Sequence, residues 1–419
     1  MRKFFKKYIS TVSVVVLMST MLLGAASAAP DVQTETEKKP YRIVALGDSL
    51  TVGYEPGKSE TDLPYGFVDR LQEQALLHGR AETVNVGIAG LKSGGLLNFV
   101  KAVKKGEAIS ADEIQPKLPD PRTPQIGAAT AETKADLANA DVITITIGGN
   151  DLSELVGTAS KLSDTDLQTR LGQLFKQYTD SMGVIVADLH QLNPDALIVV
   201  ADQYQPMPEI ADHALYSKLE NAADAFTGVI DKMAAGFVGQ GIQVKVAHIA
   251  KEFVGGEGTM THMIKDRDIH PNQLGYEAMA KVFSEVIWGG YTKLAAHEAG
   301  APMSVIVKGK ELNTPYKPMI RQNLNFVAIK DIVDAIGATS EWDNKTSSTT
   351  ITYEGHTVDI TIGSEIIIVD GEPLSVEAAV FLNKIGNESK TYVPLAALAS
   401  GLGLDVQYVS KLKTVFINP

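Results

Sequence analysis

The sequence predicts an α/β fold: a mostly parallel sheet of five strands covered by helices on both faces, followed by a small α+β region. Five apolar segments of β type alternate with amphipathic segments, and the character of the chain changes near residue 300. Because the β-type segments are apolar on both faces, they indicate a parallel sheet buried between two layers of helices. These segments are Tyr41–Leu46, Thr83–Val86, Val142–Ile147, Ala196–Ala201 and Ile242–Ile249.

The helical segments are recognised by their periodicity. Leu167, Leu171 and Leu174 recur at intervals of four and three residues, the spacing of one face of a helix. The interval Leu91–Gln125 departs from this rhythm because it is rich in glycine and proline, and we expect a long excursion with one helix at Leu96–Lys105. The other predicted helices are Asp166–Leu192, Leu215–Phe237 and Pro271–Trp288.

Two stretches near the C-terminus repeat one another. FVAIKDIVDAIGATSEWDNK begins at Phe326 and YVPLAALASGLGLDVQYVSK begins at Tyr392. An ungapped alignment places Gly337 on Gly403 and Trp342 on Tyr408. Each copy predicts a helix closed by a glycine and followed by a strand. The region is therefore predicted to contain two copies of one small α+β unit.

Composition limits the classes of partner. The 419 residues allow two or three domains. Acidic residues number 50 and basic residues 38, which gives a net charge of −12. This charge argues against nucleic acid or an anionic membrane as a partner, since both require clustered Lys and Arg. The chain has no cysteine, so disulfides and a lipoprotein anchor are excluded.

The N-terminal segment is predicted to direct export. Residues 1–28 have a basic head, an apolar run and a small-residue end, Ala26-Ser27-Ala28, which is typical of a secretory signal peptide. A polar linker over residues 29–39 follows. We expect a protein that is secreted by a Gram-positive bacterium and has no membrane span once the signal peptide is removed. Association of the secreted protein with the cell surface is left open. An uncleaved membrane anchor is the alternative, although the apolar run is short for one.

Polar motifs follow four of the predicted strands. Gly47-Asp48-Ser49 comes directly after the first, NVGIAG (Asn85–Gly90) after the second, IGGND (Ile147–Asp151) after the third and DRDIHPNQLGY (Asp266–Tyr276) after the fifth. Alone, the first motif could be an ordinary turn with a helix-capping serine. In a parallel sheet, however, all four lie at the edge where ligands bind.

These four motifs resemble, in order, the blocks of the GDSL or SGNH esterases and lipases. The resemblance covers about Tyr41 to Ala296 and implies a flavodoxin-like three-layer hydrolase domain over residues 40–296. It implies a serine esterase or lipase that forms an acyl-serine intermediate and needs no cofactor. It makes Ser49 the nucleophile and His270 the general base. The implied oxyanion donors are the N–H groups of Ser49 and Gly90 and the side-chain amide of Asn150.

One position departs from the family pattern. The family usually has an aspartate three residues before its histidine, and here that residue is Arg267. We favour Asp268 as the acid that orients His270, with Asp266 as the alternative and a backbone carbonyl as a third option. Asp48 and Asp151 are interpreted as structural.

Binding residues and metal sites are less well defined by the sequence. Asp202 and Gln203 follow the fourth strand and are predicted to bind substrate, with a plain loop role as the alternative. No metal site is predicted, because the histidines lack ligand spacing.

The repeats resemble the copper-amine-oxidase N-terminal-like, or stalk, domain of bacterial surface and secreted proteins, here over residues 302–419. The matching segments include Val-Ala-Ile-Lys from Val327 and Tyr-Val-Pro-Leu from Tyr392. His356 is the only histidine after His297, so no copper site is expected. The region is predicted to be a spacer or a module that binds the cell wall.

The substrate is left open by the sequence. A lipid ester, a lysophospholipid, an aryl ester and an acetylated polysaccharide are all compatible with it. Short-chain esters are favoured, because no continuous apolar stretch must form a deep acyl tunnel. The competing hypothesis is a catalytically inactive surface protein that binds the cell wall, and Arg267 in the usual acid position is its basis.

Overall fold

A computed structural model describes residues 38–58, 64–156, 158, 161–210, 213–294 and 302–419. The predicted signal peptide and residues 29–37 of the linker lie outside the described residues.

The described chain up to residue 294 forms one sheet with helices around it. The strands are β1 (Tyr41–Gly47), β2 (Ala81–Gly87), β3 (Val142–Thr146), β4 (Leu197–Ala201) and β5 (Val244–Ala247). The helices are α1 (Ser49–Val52), α2 (Phe67–His78), α3 (Ser93–Lys105), α4 (Ala111–Ile114), α5 (Thr123–Ala128), α6 (Thr130–Ala138), α7 (Gly149–Val156), α8 (Asp164–Leu192), α9 (His213–Val238), α10 (Ile249–Phe253), α11 (Glu257–Met260), α12 (Met263–Asp266) and α13 (Gln273–Trp288).

The sheet has the strand order β2-β1-β3-β4-β5, and every neighbouring pair is parallel. This is the flavodoxin-like order, in which ligands bind beyond the carboxyl ends of the strands. The predicted fold class is confirmed. All four sequence motifs follow strands of this sheet, so they emerge at the same edge.

Alternation along β1 separates two apolar layers. Val44 and Leu46 belong to the core formed with α3, α6, α8 and α9. Ile43 and Ala45 belong to the core formed with α2 and α13. All four side chains are fully buried. The strand is thus covered on both faces, which explains why its sequence is continuously apolar.

The excursion after β2 contains more helix than predicted. Helix α3 begins at Ser93 rather than Leu96, and α4 and α5 follow it. Helix α4 begins with a capping box in which the Ser110 and Glu113 side chains bond each other's backbone N–H. Helix α5 has a proline in its first turn, where proline is tolerated. These helices are too short to show a period in the sequence.

The described residues from 302 onward form three further sheets and two helices. The strands are β6 (Ser304–Val307), β7 (Lys310–Glu311), β8 (Met319–Arg321), β9 (Leu324–Ala328), β10 (Thr339–Asp343), β11 (Ser348–Tyr353), β12 (His356–Thr361), β13 (Ile366–Val369), β14 (Glu372–Ser375), β15 (Phe381–Ile385), β16 (Glu388–Pro394), β17 (Asp405–Val409) and β18 (Thr414–Asn418). The helices are α14 (Ile329–Ile336) and α15 (Leu395–Gly401). The sheets have the orders β10-β11-β12-β13-β14, β15-β16-β9-β8 and β17-β18-β6-β7.

The two sequence repeats pair with each other. One copy forms β9, α14 and β10, and the other forms β16, α15 and β17. Strands β9 and β16 are antiparallel, with Val327 opposite its repeat equivalent Val393. Gly337 caps α14, and Gly403 follows α15 at the equivalent position. Each copy thus has the predicted order of helix, glycine and strand.

The C-terminal region packs directly on helix α2. Ile306 and Phe416 are buried in the same core as α2 and α13. The Asn418 side-chain amide donates to the carbonyls of Leu76 and Gly79, both at 2.9 Å. These carbonyls belong to the last turn and cap of α2, where helical partners are lacking. In the described residues this region therefore buttresses the sheet domain and is not a detached spacer.

Replacing Asn418 with alanine is expected to destabilise the folded chain by about 1–3 kcal/mol, because one buried and one partly buried carbonyl lose their donor. Thermal unfolding of the full chain measures this as a lower Tm. Asn344→Ala, in an exposed turn of the same region, is the control and should leave the Tm unchanged. Equal Tm values for Asn418→Ala and the wild type would contradict the prediction.

Candidate active site

Ser49 is held at the start of a short helix by a tight turn. It is the first residue of α1 and follows β1 by one residue. Asp48 caps this helix, since its Oδ1 accepts the N–H of Leu50 at 3.0 Å. A Cβ on Gly47, which has φ +146°, would lie 2.2 Å from the Thr146 carbonyl oxygen of β3. The turn therefore needs glycine, and it places the serine at the carboxyl edge of the sheet.

Ser49, His270 and Asp268 form a continuous hydrogen-bonded chain. The Ser49 Oγ lies 2.8 Å from His270 Nε2, and His270 Nδ1 lies 2.6 Å from Asp268 Oδ1. The same carboxylate oxygen also accepts the backbone N–H of His270 at 2.9 Å. This is the arrangement in which an imidazole can take the serine proton while a carboxylate fixes its orientation.

The two carboxylates considered from the sequence have different partners. Arg267 ends α12 in the left-handed conformation, with φ 56°. Asp266, on the other side of that turn, bonds Nδ1 of His262 at 2.7 Å. The structure therefore brings Asp268 to the His270 ring, and the alternative that assigned Asp266 to that ring is wrong. A backbone carbonyl as the orienting group is also wrong, because Asp268 occupies Nδ1.

Burial lowers the pKa of His270 below its ordinary value of 6.5, and Asp268 opposes this shift. A general base must be neutral to accept a proton. We therefore expect kcat/KM to fall as the pH drops through the lowered pKa, with an acid limb centred below pH 6.5. A pH–rate profile from pH 4 to 9 measures this limb.

Preincubation at low pH followed by assay at pH 8 is the control that separates titration from unfolding. A reversible limb centred above pH 6.5 would contradict the lowered pKa.

The predicted oxyanion donors include two backbone N–H groups, those of Ser49 and Gly90. Ser49 provides the first N–H of α1, a position without a helical partner. Gly90 has φ +80°, and a Cβ there would lie 2.7 Å from Pro119 Cδ. The neighbouring N–H groups of Ala89 and Leu91 bond Asp120 and Ile88. Among the described residues, the Gly90 N–H has no hydrogen-bond partner, so it can donate to a ligand.

Asn150 is oriented by the loop that carries Gly90. Its Nδ2 donates to the Leu91 carbonyl at 3.0 Å, which uses one of its two amide protons. The other proton is available to the cavity, which Asn150 lines together with Ser49. This hydrogen bond joins the loop after β3, which carries Asn150, to the loop after β2, which carries Gly90.

Asp151 and Asp48 have structural contacts, as the sequence indicated. The Ser93 Oγ donates to Asp151 Oδ1 at 2.6 Å and the Ser93 N–H to Oδ2 at 3.0 Å, which fixes α7 to the start of α3. Asp48 accepts from Leu50 and from Thr146 Oγ1. Burial raises the pKa of Asp48 to about 7.

An apolar cavity of about 210 Å³ opens beside the triad. One water needs only about 10–15 Å³, so the cavity can hold part of a substrate. Its apolar wall comes from three helices, with Leu152 and Leu155 on α7, Leu167 and Leu171 on α8, and Leu219 on α9. This wall is assembled from separate helices rather than from one apolar stretch, and the sequence-based preference for short-chain esters stays a prediction.

The two predicted substrate-binding residues separate. Gln203 lines the cavity beside Ser49. Asp202 lines a neighbouring cavity instead, and its carboxylate accepts from Thr227 at 3.0 Å and from the Ala250 N–H at 2.8 Å. Consecutive residues at the end of a strand point to opposite sides. Asp202 therefore bonds α9 and α10 at the sheet edge and does not line the cavity beside Ser49, and its predicted role in substrate binding stays a prediction.

In the described part of the chain, no group of three or more His, Asp or Glu residues is arranged to hold a metal ion. Within the same residues, no helix has the length and apolar character needed to cross a bilayer.

Two family models match the chain. The GDSL-like Lipase/Acylhydrolase family matches residues 45–278, more than half of the chain. The Copper amine oxidase N-terminal domain matches residues 306–417. Both resemblances recognised from the sequence are thereby confirmed. No curated protein matches the chain significantly.

Several solved structures are similar to the chain. A lipase, Lip_vut3, from a goat rumen metagenome is 20% identical over 61% of this chain and 100% of its own, with a TM-score of 0.41. Phospholipase A1 from Streptomyces albidoflavus NA297 is 18% identical over 59% and 99%, with a TM-score of 0.40. A mutant of Axe2, an acetylxylan esterase from Geobacillus stearothermophilus, is 15% identical over 62% and 100%, with a TM-score of 0.37. At these scores the likenesses carry no information on substrate.

Proposed function

The chain belongs to the GDSL-like lipase/acylhydrolase family and is a serine ester hydrolase, and on this premise we propose that it cleaves carboxylic esters with an aliphatic acyl chain. In this proposal Ser49 is the nucleophile, His270 the general base and Asp268 the orienting acid. The observation that carries it is the hydrogen-bonded chain of these three side chains at the mouth of an apolar cavity.

The reaction proceeds in two halves. His270 Nε2 takes the proton of Ser49 Oγ as that oxygen attacks the ester carbonyl carbon. The tetrahedral intermediate collapses to an acyl-serine, and the alcohol leaves with the proton from His270. A water molecule then attacks the acyl-serine and loses a proton to His270. The second tetrahedral intermediate collapses to the free acid, and His270 returns the proton to Ser49 Oγ. Asp268 stabilises the imidazolium that forms in each half.

The negative oxygen of each intermediate is stabilised by the Ser49 and Gly90 N–H groups and the Asn150 amide. Each donor of this kind contributes about 3–4 kcal/mol to lowering the barrier. The Asn150–Leu91 bond supports this role, because the amide is already oriented before substrate binds. Preorganisation of this kind avoids a reorganisation cost during the reaction.

The leucine wall supports an acyl chain longer than acetyl. Each buried methylene contributes about 0.8 kcal/mol, so kcat/KM should rise about fourfold per methylene until the cavity is filled. Hydrolysis of p-nitrophenyl acetate, butyrate, hexanoate and octanoate measures this series. The highest kcat/KM on acetate would instead favour the second candidate, an esterase that acts on O-acetylated polysaccharide.

Leu171→Trp is expected to lower the octanoate-to-acetate ratio of kcat/KM at least tenfold, because the indole fills space in the cavity that Leu171 lines. Val184→Trp is the matched control, since it adds the same side chain to the same helix at a position that is 40% exposed. An unchanged ratio in Leu171→Trp would show that the acyl chain binds elsewhere.

Export and surface location are separate proposals. The composition of residues 1–28 supports secretion with cleavage after Ala28. N-terminal sequencing of the protein from the culture medium tests this, and retention of residues 1–28 would refute it. Sedimentation of the full chain with purified cell wall tests wall association through the C-terminal region.

Arg267 no longer supports an inactive protein. It ends helix α12, and Asp268 supplies the carboxylate that the family places one residue earlier.

A further inference from the structure

The segment that carries the acid and the base is a closed loop. Thr261 and Pro271 form an antiparallel bridge, and the His262 N–H donates to the His270 carbonyl at 2.9 Å. Asn272 continues the closure, since its N–H donates to the Met260 carbonyl at 2.9 Å. We call residues 261–271 the histidine loop. His262 thus lies directly opposite His270 at the base of this loop.

The side chain of His262 bonds a carboxylate at each ring nitrogen. Nδ1 lies 2.7 Å from Asp266 Oδ2, within the histidine loop. Nε2 lies 3.2 Å from Glu55 Oε2, outside it. Glu55 is buried, with 8% of its side chain exposed, and His262 is partly buried, with 15% exposed. A ring nitrogen donates only when it carries a proton, so the doubly protonated ring satisfies both contacts.

Glu55 belongs to the segment that follows the nucleophile. It comes three residues after helix α1, which starts at Ser49. The preceding residue, Tyr54, places its ring 4.5 Å from the His270 ring, centroid to centroid. Two consecutive residues after the nucleophile helix therefore contact the two histidines of the loop.

Glu55 is itself fixed from the opposite side. Its Oε1 accepts the Gln273 amide at 2.7 Å, and the Gln273 Oε1 accepts from Arg70 Nη2 at 2.9 Å. These partners lie on α13 and α2, the helices that cover one face of the sheet. Glu55 is thus held in place by α13 and α2, and its contact with His262 fixes the histidine loop relative to these helices.

We propose that His262 is a positioning residue of the ester hydrolysis, which holds the histidine loop, and with it Asp268 and His270, against the segment that follows Ser49. The proposal rests on the proposed function. The proposal also explains why two aspartates flank Arg267 in the sequence. Asp266 bonds His262, and Asp268 bonds His270.

The positive charge that His262 carries when both ring nitrogens are protonated also acts on the base. It lowers the pKa of His270, in the same direction as burial. Removing that charge should therefore raise the pKa of His270 and move the acid limb of kcat/KM to higher pH. The charged and titratable groups around the two rings are Asp268, Asp266, Glu55, Lys58, Tyr54, Tyr204 and the buried Asp48.

His262→Gln is the main test, assayed in the full chain on the ester that the wild type cleaves best. We expect kcat to fall about 10- to 100-fold, because small misplacements of catalytic groups cost this much, with KM within twofold of wild type. The acid limb should move to higher pH. Glu55→Gln keeps the histidine but removes its outer carboxylate, and it should lower kcat in the same direction.

His213→Gln is the matched control. His213 bonds Glu209 at 2.8 Å with the same spacing of four residues but is exposed, so this variant should keep the wild-type kcat and acid limb. Wild-type kcat and acid limb in both His262→Gln and Glu55→Gln would overturn the proposal. So would a loss of kcat that occurs only with a lost cooperative unfolding transition in both variants. Failure of the proposed function is distinguishable, because Ser49→Ala would then remain active.

Discussion

Ser49→Ala is expected to lower kcat for ester hydrolysis by about 10⁶-fold, with little change in substrate binding. Removing the Oγ removes the acyl-serine pathway, and nucleophile deletions in serine hydrolases have effects of this size. The donors around the oxyanion remain, so a small residual rate above that in water should persist. Steady-state kinetics on the preferred p-nitrophenyl ester measures the loss.

Labelling by a fluorophosphonate probe gives an independent readout of the same prediction. The wild type should react at Ser49, because His270 activates that hydroxyl, and the variant should not react. Ser217→Ala is the control, since Ser217 is half-buried on α9 and its hydroxyl donates to the His213 carbonyl. Rapid hydrolysis by Ser49→Ala would refute the proposed nucleophile.

Asp268→Asn is expected to lower kcat by about 10⁴-fold, the scale seen when the carboxylate of a triad becomes an amide. The amide can no longer stabilise the imidazolium, and it can donate to Nδ1 and thereby favour the tautomer that cannot accept the serine proton. Steady-state kinetics at pH 8 measures this loss.

Asp266→Asn is the matched comparison for that variant, because it makes the same chemical change two residues away. Its carboxylate bonds His262 rather than His270, so the loss should be at most about 100-fold, in line with the role proposed for His262. A larger loss in Asp266→Asn than in Asp268→Asn would contradict the assignment of the acid.

The sheet and the position of the nucleophile could be predicted from the sequence because both follow from local patterns. Apolar segments on both faces of β1 indicate a parallel sheet, and parallel strands bring their carboxyl ends to one edge. The motifs that contain Ser49, Gly90 and Asn150 therefore had to emerge at that edge. Spacing alone favoured Asp268 but could not exclude Asp266. That distinction depends on the left-handed turn at Arg267 and on the ion pair with His262.

The apolar cavity beside Ser49 could not be predicted in the same way. Leu167 and Leu171 show the helical period, but the period does not reveal which neighbouring helix they face. The cavity exists because α7, α8 and α9 leave space between them. Asp202 shows a related limit of the sequence. The sequence places it directly after β4, but the side of the sheet that its carboxylate faces depends on the alternation of side chains at the end of the strand.

The contact between the C-terminal region and α2 was also outside the reach of sequence patterns. The repeats predicted the unit and its glycine, but Asn418 finds its acceptors more than 300 residues earlier in the chain. A polar residue near the end of a strand gives no local sign of such a partner.

The buried carboxyl of Asp48 makes the stability and the activity of the enzyme change in opposite directions with pH. Its pKa is raised by burial from 3.8 to about 7, so the folded state binds a proton that the unfolded chain releases near pH 4. Any stability gained from this proton is complete below pH 4 and is lost as the pH rises toward 7. Over the same interval His270 becomes neutral and the enzyme gains its base. Mildly acidic surroundings should therefore preserve a folded but slow enzyme, and neutral surroundings a faster but more fragile one.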